Sequence, residues 1–426
     1  MKQLSFLTVF FSFLAILTSP NTTIAQTNAQ ANSLTLYEAE LKALENDPML
    51  ASFAERRRAM LAIAIADGQL PDPMFKIGAV NLPIDSFNLN QEPMTQLQFG
   101  VSQRFPRGNT LSLRGDRAAS RADIESQKQN LRLRETLLEV RTAWLSAYYW
   151  QNAKLVLKEQ QKAMEQLVAV TQLHYGGAKL QQQDVLRSEL ELNLLKDKII
   201  NSQHQYESSL AALQKWVGND VLVSSVAATT PSFSEPMAMS QIRDMLTKHP
   251  VIGIRDAEIN VQKTDVGLAK QAYKPEWGFD LNYGARASDA LGNERADFVS
   301  LMVRVDVPLF TGKRQDKRLS AAKHQEAAAR FEREEKLRQL SQMLEDTWSN
   351  WQRSAERLGL YSHEITSQSA ETFEVTLNAY RNQTASFALL INARLLDFDT
   401  KLQVLDLTTE HLKAQARLLY LQGEEK

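Results

Sequence analysis

The chain has 426 residues, with 16 glycines, 12 prolines and no cysteine. The low glycine and proline content excludes collagen-like and low-complexity disordered chains, and the missing cysteines exclude disulfides, thiolate metal sites and cysteine nucleophiles. The formal net charge of −1 provides no electrostatic reason to expect nucleic acid as a partner.

Residues 1–25 have the pattern of a secretory signal peptide. A basic residue precedes the apolar run 4–17, and the small residues Thr23 and Ala25 occupy the −3 and −1 positions of a cleavage site. Cleavage after Ala29 is the alternative. The apolar run is shorter than the ~20 residues of a transmembrane helix. The sequence therefore predicts an exported protein that has no transmembrane helix and enters a membrane, if at all, through β-strands.

The rest of the chain is an internal duplication. Three pairs of prolines are separated by 202 residues: Pro48 and Pro250, Pro73 and Pro275, and Pro106 and Pro308. Two later pairs are separated by 205 residues: Tyr175 and Tyr380, and Gly218 and Gly423. Ordered landmarks at a nearly constant offset indicate two copies of one structural unit. The offset changes by three residues near Gly108 and Gly312.

These landmarks divide the chain into a signal peptide (1–25), a first repeat (26–217), a linker (218–237) and a second repeat (238–426). Each repeat is predicted to contain, in order, a helix, two strands, a long helix and a returning helix. The first helix, over about 34–68, begins with a capping box in which Glu38 follows Thr35 by three residues.

Two long stretches without proline, 107–230 and 309–426, predict very long helices. Apolar residues recur there at three- and four-residue steps, as at Val140, Trp144 and Tyr148. A single helix over 109–172 would be about 96 Å long, which no compact domain accommodates. The sequence predicts helical hairpins over about 109–217 and 313–422, which belong to a coiled-coil rod or a tube.

The segments between the helices alternate as β-strands do, and the predicted strands cover about 74–82, 95–105, 276–286 and 297–308. In the second of them Leu97, Phe99 and Val101 alternate with polar or small residues. Apolar-outward and polar-inward alternation over about ten residues is typical of outer-membrane barrels. In a barrel four polar residues would face the lumen: Arg104, Asp280, Arg304 and Asp306. Two ordinary hairpins packed on helices are the alternative interpretation.

Four strands cannot close a barrel, because the smallest outer-membrane barrels have about 8 strands. Three copies of the chain would supply twelve strands, and an even number closes. The sequence therefore predicts a homotrimer in contact with outer-membrane lipid.

Over nearly the whole mature chain the sequence resembles the TolC-type outer-membrane efflux protein family. The resemblance rests on the duplication, on both predicted β-hairpins, on residues 34–48, and on Tyr175-Gly176-Gly177-Ala178 with Asp184-Val185-Leu186. It implies a mainly α fold with a small β part: a trimeric α-helical tunnel continued by a shared twelve-stranded transmembrane β-barrel. It also implies an outer-membrane location in a Gram-negative bacterium, with a periplasmic adaptor protein and an inner-membrane pump as partners.

The segment 70–94 is most similar to family members that work with heavy-metal pumps of the resistance-nodulation-division (RND) type. This similarity implies that heavy-metal ions are the cargo. An outer-membrane duct for drug efflux or type I protein secretion is one alternative. An exported structural coiled-coil protein without a pore is an alternative of another class.

In the family the tips of the helical hairpins form the closed periplasmic entrance. Tyr175, Gly177 and Asp184 match the first tip pattern, and Tyr380 matches the second. In a trimer Asp184 would form a ring of three carboxylates, whose mutual repulsion favours opening or a bound cation. The alternative interpretation of Asp184 is a solvated residue in the first turn of the returning helix, stabilised by the helix dipole.

The second tip departs from the family pattern, since Leu389 and Asn392 stand where many relatives carry carboxylates. Elsewhere the six histidines are scattered without ligand spacing. The sequence contains no phosphate-binding loop and no nucleophile elbow. We therefore predict no enzymatic activity, no cofactor and no resident metal.

Overall fold

The computed structural model describes residues 33–176, 181–218, 223–289 and 291–423. The predicted signal peptide and Gly177 lie outside these described residues. Within them the protein is mainly helical, with one small antiparallel sheet.

Both repeats have the same order of elements. The first repeat contains α1 (Leu36–Asn46), α2 (Pro48–Asp67), β1 (Met74–Val80), β2 (Gln96–Phe105), α3 (Thr110–Gly176) and α4 (Gln182–Val217). The second contains α5 (Met239–Met245), a 3-10 turn (Leu246–Lys248), α6 (Pro250–Gln271), β3 (Glu276–Ala285), β4 (Phe298–Asp306), α7 (Gln315–Leu360), a π-helical turn (Tyr361–Ile365), α8 (Thr366–Arg381) and α9 (Phe387–Gln422).

The single helix expected over 34–68 is in fact two helices. The predicted capping box begins α1, where the Glu38 amide donates to Thr35 Oγ1 at 3.3 Å and the Thr35 amide donates to Glu38 Oε2 at 3.0 Å. A second helix, α2, starts at Pro48 with Asp47 as its N-cap. Proline has no N–H to donate within a continuing helix but suits a first helical position, so the chain breaks here.

The long helices differ between the repeats. α3 is one uninterrupted helix of 67 residues, about 100 Å at the usual rise. In the second repeat the π-helical turn separates α7 from α8, and Thr366 Oγ1 donates to the Tyr361 carbonyl at 2.7 Å. Nowhere in the described ranges is a helix apolar over a length sufficient to cross a membrane.

The two β-hairpins join into one antiparallel sheet in the order β1-β2-β3-β4. β2 of the first repeat pairs with β3 of the second, from Leu97–Ala285 to Phe105–Trp277. The observed strands are one to three residues shorter than the predicted ones. β1 and β4 form the two edges of this sheet.

Three apolar cores hold the helices together. One lies where α1 packs on α3 and α4, around Trp144 and Leu213. A second joins α6, α7 and α9 around Ile252 and Leu344, and a third joins α3, α4 and α9 around Met164. Each fully buried side chain of this size contributes roughly 1.5–3 kcal/mol relative to an exposed one. These cores fix the hairpins, and thereby the sheet at one end and the tips at the other.

Candidate functional site

One face of the sheet is apolar and exposed. It carries alternate residues of all four strands: Phe75, Ile77, Leu97, Phe99, Val101, Trp277, Phe279, Leu281, Tyr283, Val299, Leu301, Val303 and Val305. Their exposed fractions range from 40% to 81%. A sheet in water packs its apolar face on a core. This face therefore requires an apolar environment or partner outside the single chain.

The opposite face of the sheet is charged, and Asp280 of β3 lies at its centre. The Asp280 carboxylate accepts hydrogen bonds from Lys76 Nζ at 2.7 Å and from Arg304 Nη2 at 3.2 Å. These contacts join β1, β3 and β4 across the sheet. Asp280 is buried beneath the two longer side chains.

A second group of charges lies on the same face where the strands meet the helices. Arg104 Nε lies 3.4 Å from Glu276 Oε1. Asp306 accepts from Arg107, which follows β2. All four residues predicted to face a lumen, Arg104, Asp280, Arg304 and Asp306, line one open pocket at this end of the sheet. The structure thus places them on one face, and their orientation towards a lumen stays a prediction.

The first hairpin tip contains two of the predicted gate residues. Tyr175 is exposed at the end of α3. Asp184 lies in the first turn of α4, and its Oδ2 accepts from the Gln181 amide at 3.4 Å. Asp184 therefore has the helix-terminal position that the alternative interpretation expects, and its role in a gate stays a prediction.

Tyr380, the predicted residue of the second tip, lies close to the first tip. Its half-buried ring is 5.9 Å from the ring of Phe387. Burial raises the pKa of Tyr380 above its usual range, and the Asp184 carboxylate raises the pKa further. The fold therefore brings Tyr380 and Asp184 into one electrostatic neighbourhood.

Arg187 is a tip residue that the sequence analysis missed. Its Nη2 donates to Asn392 Oδ1 at 3.0 Å, joining α4 to α9. The two residues are themselves separated by 205, the offset of the duplication in this region. That offset was the available signal, because it marks Arg187 and Asn392 as equivalent positions of the two hairpins.

Within the described part of the chain, no three acidic or histidine side chains come together as a metal site.

Residues 242–424, which span α5 to α9, match the family model described as outer membrane efflux protein. Over this range the chain is similar to the outer membrane efflux protein family. A curated relative, the alkaline protease secretion protein AprF of Pseudomonas aeruginosa, is 20% identical over 319 residues. That alignment covers 72% of this chain and 65% of the relative, which is slightly less than two thirds of its length.

Solved structures share the fold at low sequence identity. The outer-membrane channel OprN superposes with a TM-score of 0.78 at 15% identity, over 92% of this chain and 90% of that one. The outer membrane protein VceC of Vibrio cholerae has a TM-score of 0.76 at 14% identity, over 91% and 96% of the two chains. The open state of the MtrE channel of Neisseria gonorrhoeae has a TM-score of 0.75 at 14% identity, over 91% and 88%. The resemblance to TolC-type proteins is thereby confirmed.

Proposed function

We propose that this protein is the outer-membrane exit duct of a tripartite transport system. Its cargo would arrive from a periplasmic adaptor and an inner-membrane RND-type pump, which supplies the energy, and would leave passively through the barrel. The observation that carries the proposal is the two-faced sheet. Its exposed apolar face suits lipid, and its charged face suits a water-filled lumen.

The proposed duct is a homotrimer with a twelve-stranded barrel. β1 and β4 each present an edge that one chain leaves open for pairing. The duplication indicates how the edges pair, because the observed contact of β2 with β3 is equivalent to a contact of β4 with β1 of the next copy. Applying the offset of 202 to the observed pair Gln103–Phe279 gives the pair Val305–Ile77 between copies.

Cysteine cross-linking tests this pairing, since the natural chain has no cysteine. The registers of the two hairpins differ by two residues: Met74 pairs with Ser102, whereas Glu276 pairs with Asp306 rather than Arg304. Val305→Cys is therefore combined in turn with Ile77→Cys, Phe75→Cys and Ala79→Cys. We expect disulfide-linked trimers from at least one combination and none from Val305→Cys alone. Failure of all three combinations would refute the proposed barrel closure.

Pore formation is tested by conductance and labelling. The duct predicts ion conductance in planar bilayers, which an exported coiled-coil protein without a pore would not have. Gln98 lies on the charged face of the sheet and Phe99 on the apolar face. An aqueous thiol reagent applied to membrane-embedded trimers should label the Gln98→Cys variant in preference to the Phe99→Cys variant. The opposite preference would reverse the assignment of lumen and lipid faces.

At the periplasmic end, Tyr175, Gly177, Asp184 and Tyr380 are proposed to form the entrance. Replacing Asp184 with asparagine removes the repulsion of a three-carboxylate ring without changing side-chain size. If that repulsion opens the entrance, Asp184→Asn should lower the open probability in bilayers. The control is Gln183→Glu, which keeps Asp184 and adds a second carboxylate to the same turn. It shows whether any negative charge in this turn changes the open probability. An unchanged open probability in Asp184→Asn would leave Asp184 as a helix-capping residue only.

For cargo we propose heavy-metal ions, on the similarity of segment 70–94 to components of heavy-metal systems. Protein secretion is the second candidate, because the curated relative is named as an alkaline protease secretion protein. A strain from which the gene for this protein is deleted distinguishes metal export, protein secretion and drug efflux. Sensitivity to copper, silver, cobalt, zinc or cadmium supports metal export, sensitivity to a drug panel supports drug efflux, and a protein missing from the culture medium supports secretion.

A further inference from the structure

The two junctions between a strand and a long helix differ in length and in chemistry. In the first repeat α3 begins at Thr110, four residues after Pro106. In the second repeat α7 begins at Gln315, seven residues after Pro308. The three-residue change in the duplication offset therefore lies in the second junction, residues 307–314. Among the residues that the structure describes, this junction carries two highly exposed apolar side chains, Leu309 at 75% and Phe310 at 91%.

The first junction is held by polar contacts within the chain. Arg107 Nη1 donates to the Ala272 carbonyl at 2.8 Å, and the Asn109 amide donates to Gln271 Oε1 at 3.1 Å. Both acceptors lie at the end of α6, where the chain turns into β3. The first junction thus lies against the connection between α6 and β3.

The second junction is flanked by contacts within the chain, since Asp306 accepts from Arg107 and the Tyr273 hydroxyl donates to Asp316 Oδ1 at 2.6 Å, yet Leu309 and Phe310 between them stay exposed. By the duplication, the counterpart of the connection between α6 and β3 is the connection between α2 and β1, residues 68–73. Within one chain β4 and β1 lie at opposite edges of the sheet. An equivalent contact of the second junction would therefore involve the 68–73 connection of another copy.

At the corresponding positions of the second junction both residues are apolar. With the offset of 202, Leu309 stands in the position of Arg107, and Leu70 stands in the position of Ala272. Leu70 is 48% exposed in the single chain. Where the first junction has a guanidinium group, the second has an apolar side chain, and its burial against Leu70 would remove both side chains from water.

The helices beside the junctions agree with this arrangement. α6 packs along both α3 and α7, and six of its residues are buried. α2 packs along α3, and none of its residues, all of which the structure describes, is buried. Its exposed Leu61 and Ile65, which lie one helical turn apart on the same face, provide apolar surface near Leu70 for α7 of another copy.

We infer that Leu309 and Phe310 of one copy pack on Leu70 of the next copy and form an apolar interlock at the base of the barrel. This inference rests on the proposed trimeric duct and names a contact that holds the trimer together. Every copy carries both halves of the interlock, so the same contact repeats between each pair of neighbours in a closed ring of three copies.

The test uses purified trimers of the full chain carrying Leu70→Cys and Leu309→Cys, treated with an oxidant and, in parallel, with a short bismaleimide. The expected product is a covalent trimer on a non-reducing gel. The matched control is Leu70→Cys with Leu173→Cys, because Leu173 is also 75% exposed but lies near the distant tip of α3. This control and each single cysteine variant should remain uncross-linked.

The double variants that combine Val305→Cys with a cysteine in β1 show whether a negative result refutes the interlock alone or the proposed duct as well. If a strand pair links the copies and the Leu70–Leu309 pair does not, the interlock is refuted and the duct stands. If neither links, the proposed trimer and the interlock are both refuted. Equal linking by the Leu173 control would also refute the interlock, since it would reflect collisions rather than a defined contact.

Discussion

The two repeats begin an equivalent helix at a proline with different chemistry. In the first repeat Asp47 precedes Pro48, and its Oδ1 accepts from the Met49 amide at 2.9 Å. In the second repeat His249 precedes Pro250, and its Nδ1 accepts from the Val251 amide at 3.3 Å. Both caps are buried. The duplication has therefore kept the backbone step and the acceptor, whereas the charge of the capping group has diverged.

The surroundings of the two caps explain why each charge is tolerated. Burial alone would raise the pKa of Asp47, but hydrogen bonds from Arg132 at 2.6 Å and Thr136 at 2.8 Å outweigh it and hold the pKa below its usual range. Around His249, burial and the neighbouring Arg134 lower the pKa to about 4. Asp47 is thus a charged cap with a partner, and His249 is a neutral cap.

The largest expected effect is the loss of the charged cap. Asp47→Ala leaves the partly buried Arg132 without this carboxylate and removes a helix cap, so we expect a loss of about 3 kcal/mol in the free energy of unfolding. The loss is measured as a lower thermal midpoint in detergent. The matched control is Asp256→Ala, which removes a bond of the same 2.6 Å length from Arg333. Because the Asp256 side chain is 49% exposed, its removal should cost less than about 1 kcal/mol.

The neutral cap predicts acid sensitivity in the second repeat. As the pH falls below 6.5 the unfolded state takes up a proton at His249 before the folded state does, because the folded pKa is about 4. The contribution of the neutral His249 cap to the free energy of unfolding is therefore complete above pH 6.5. It is lost as the pH falls towards 4, by up to about 3 kcal/mol. The thermal midpoint measured between pH 7 and 4 reports this loss.

His249→Asn sharpens this test, because asparagine keeps a capping acceptor and does not titrate. The pH dependence of the thermal midpoint should become shallower in this variant. The control His324→Gln, at an exposed position of α7, should leave the pH dependence of the thermal midpoint unchanged. Identical slopes for wild type and His249→Asn would show that another group causes the acid sensitivity.

The smallest expected effect concerns the ends of the returning helices. Gly218 and Gly423 close α4 and α9 with positive φ angles of 92° and 76°. A Cβ on Gly218 would meet Asn46, which itself donates to the Val217 carbonyl at 2.7 Å, whereas a Cβ on Gly423 would meet the end of the flexible Arg134 side chain. We expect Gly218→Ala to cost about 1–2 kcal/mol and Gly423→Ala about 1 kcal/mol. A larger cost at Gly423, measured by thermal unfolding, would contradict this order.

The sequence by itself determined the order of most elements and the duplication, although it did not separate α1 from α2 or α7 from α8. Prolines at 48, 73, 106, 250, 275 and 308 mark breaks between elements, and the long intervals without proline contain the helical hairpins. Alternation identified the residues that share a face of the sheet, including Arg104 and Asp280. These features are local, since φ restriction, helical period and strand period act within a few residues.

The tertiary structure decided which distant segments meet. The pairing of β2 with β3, the Asp47–Arg132 ion pair, the Arg187–Asn392 contact and the position of Arg107 join residues between 85 and 205 positions apart. No local periodicity encodes such contacts, because they depend on how the buried faces of several helices pack at once. The proposed contact of Leu70 with Leu309 extends this limit beyond one chain, because it was inferred from the duplication together with the exposed side chains and open edges of the folded sheet.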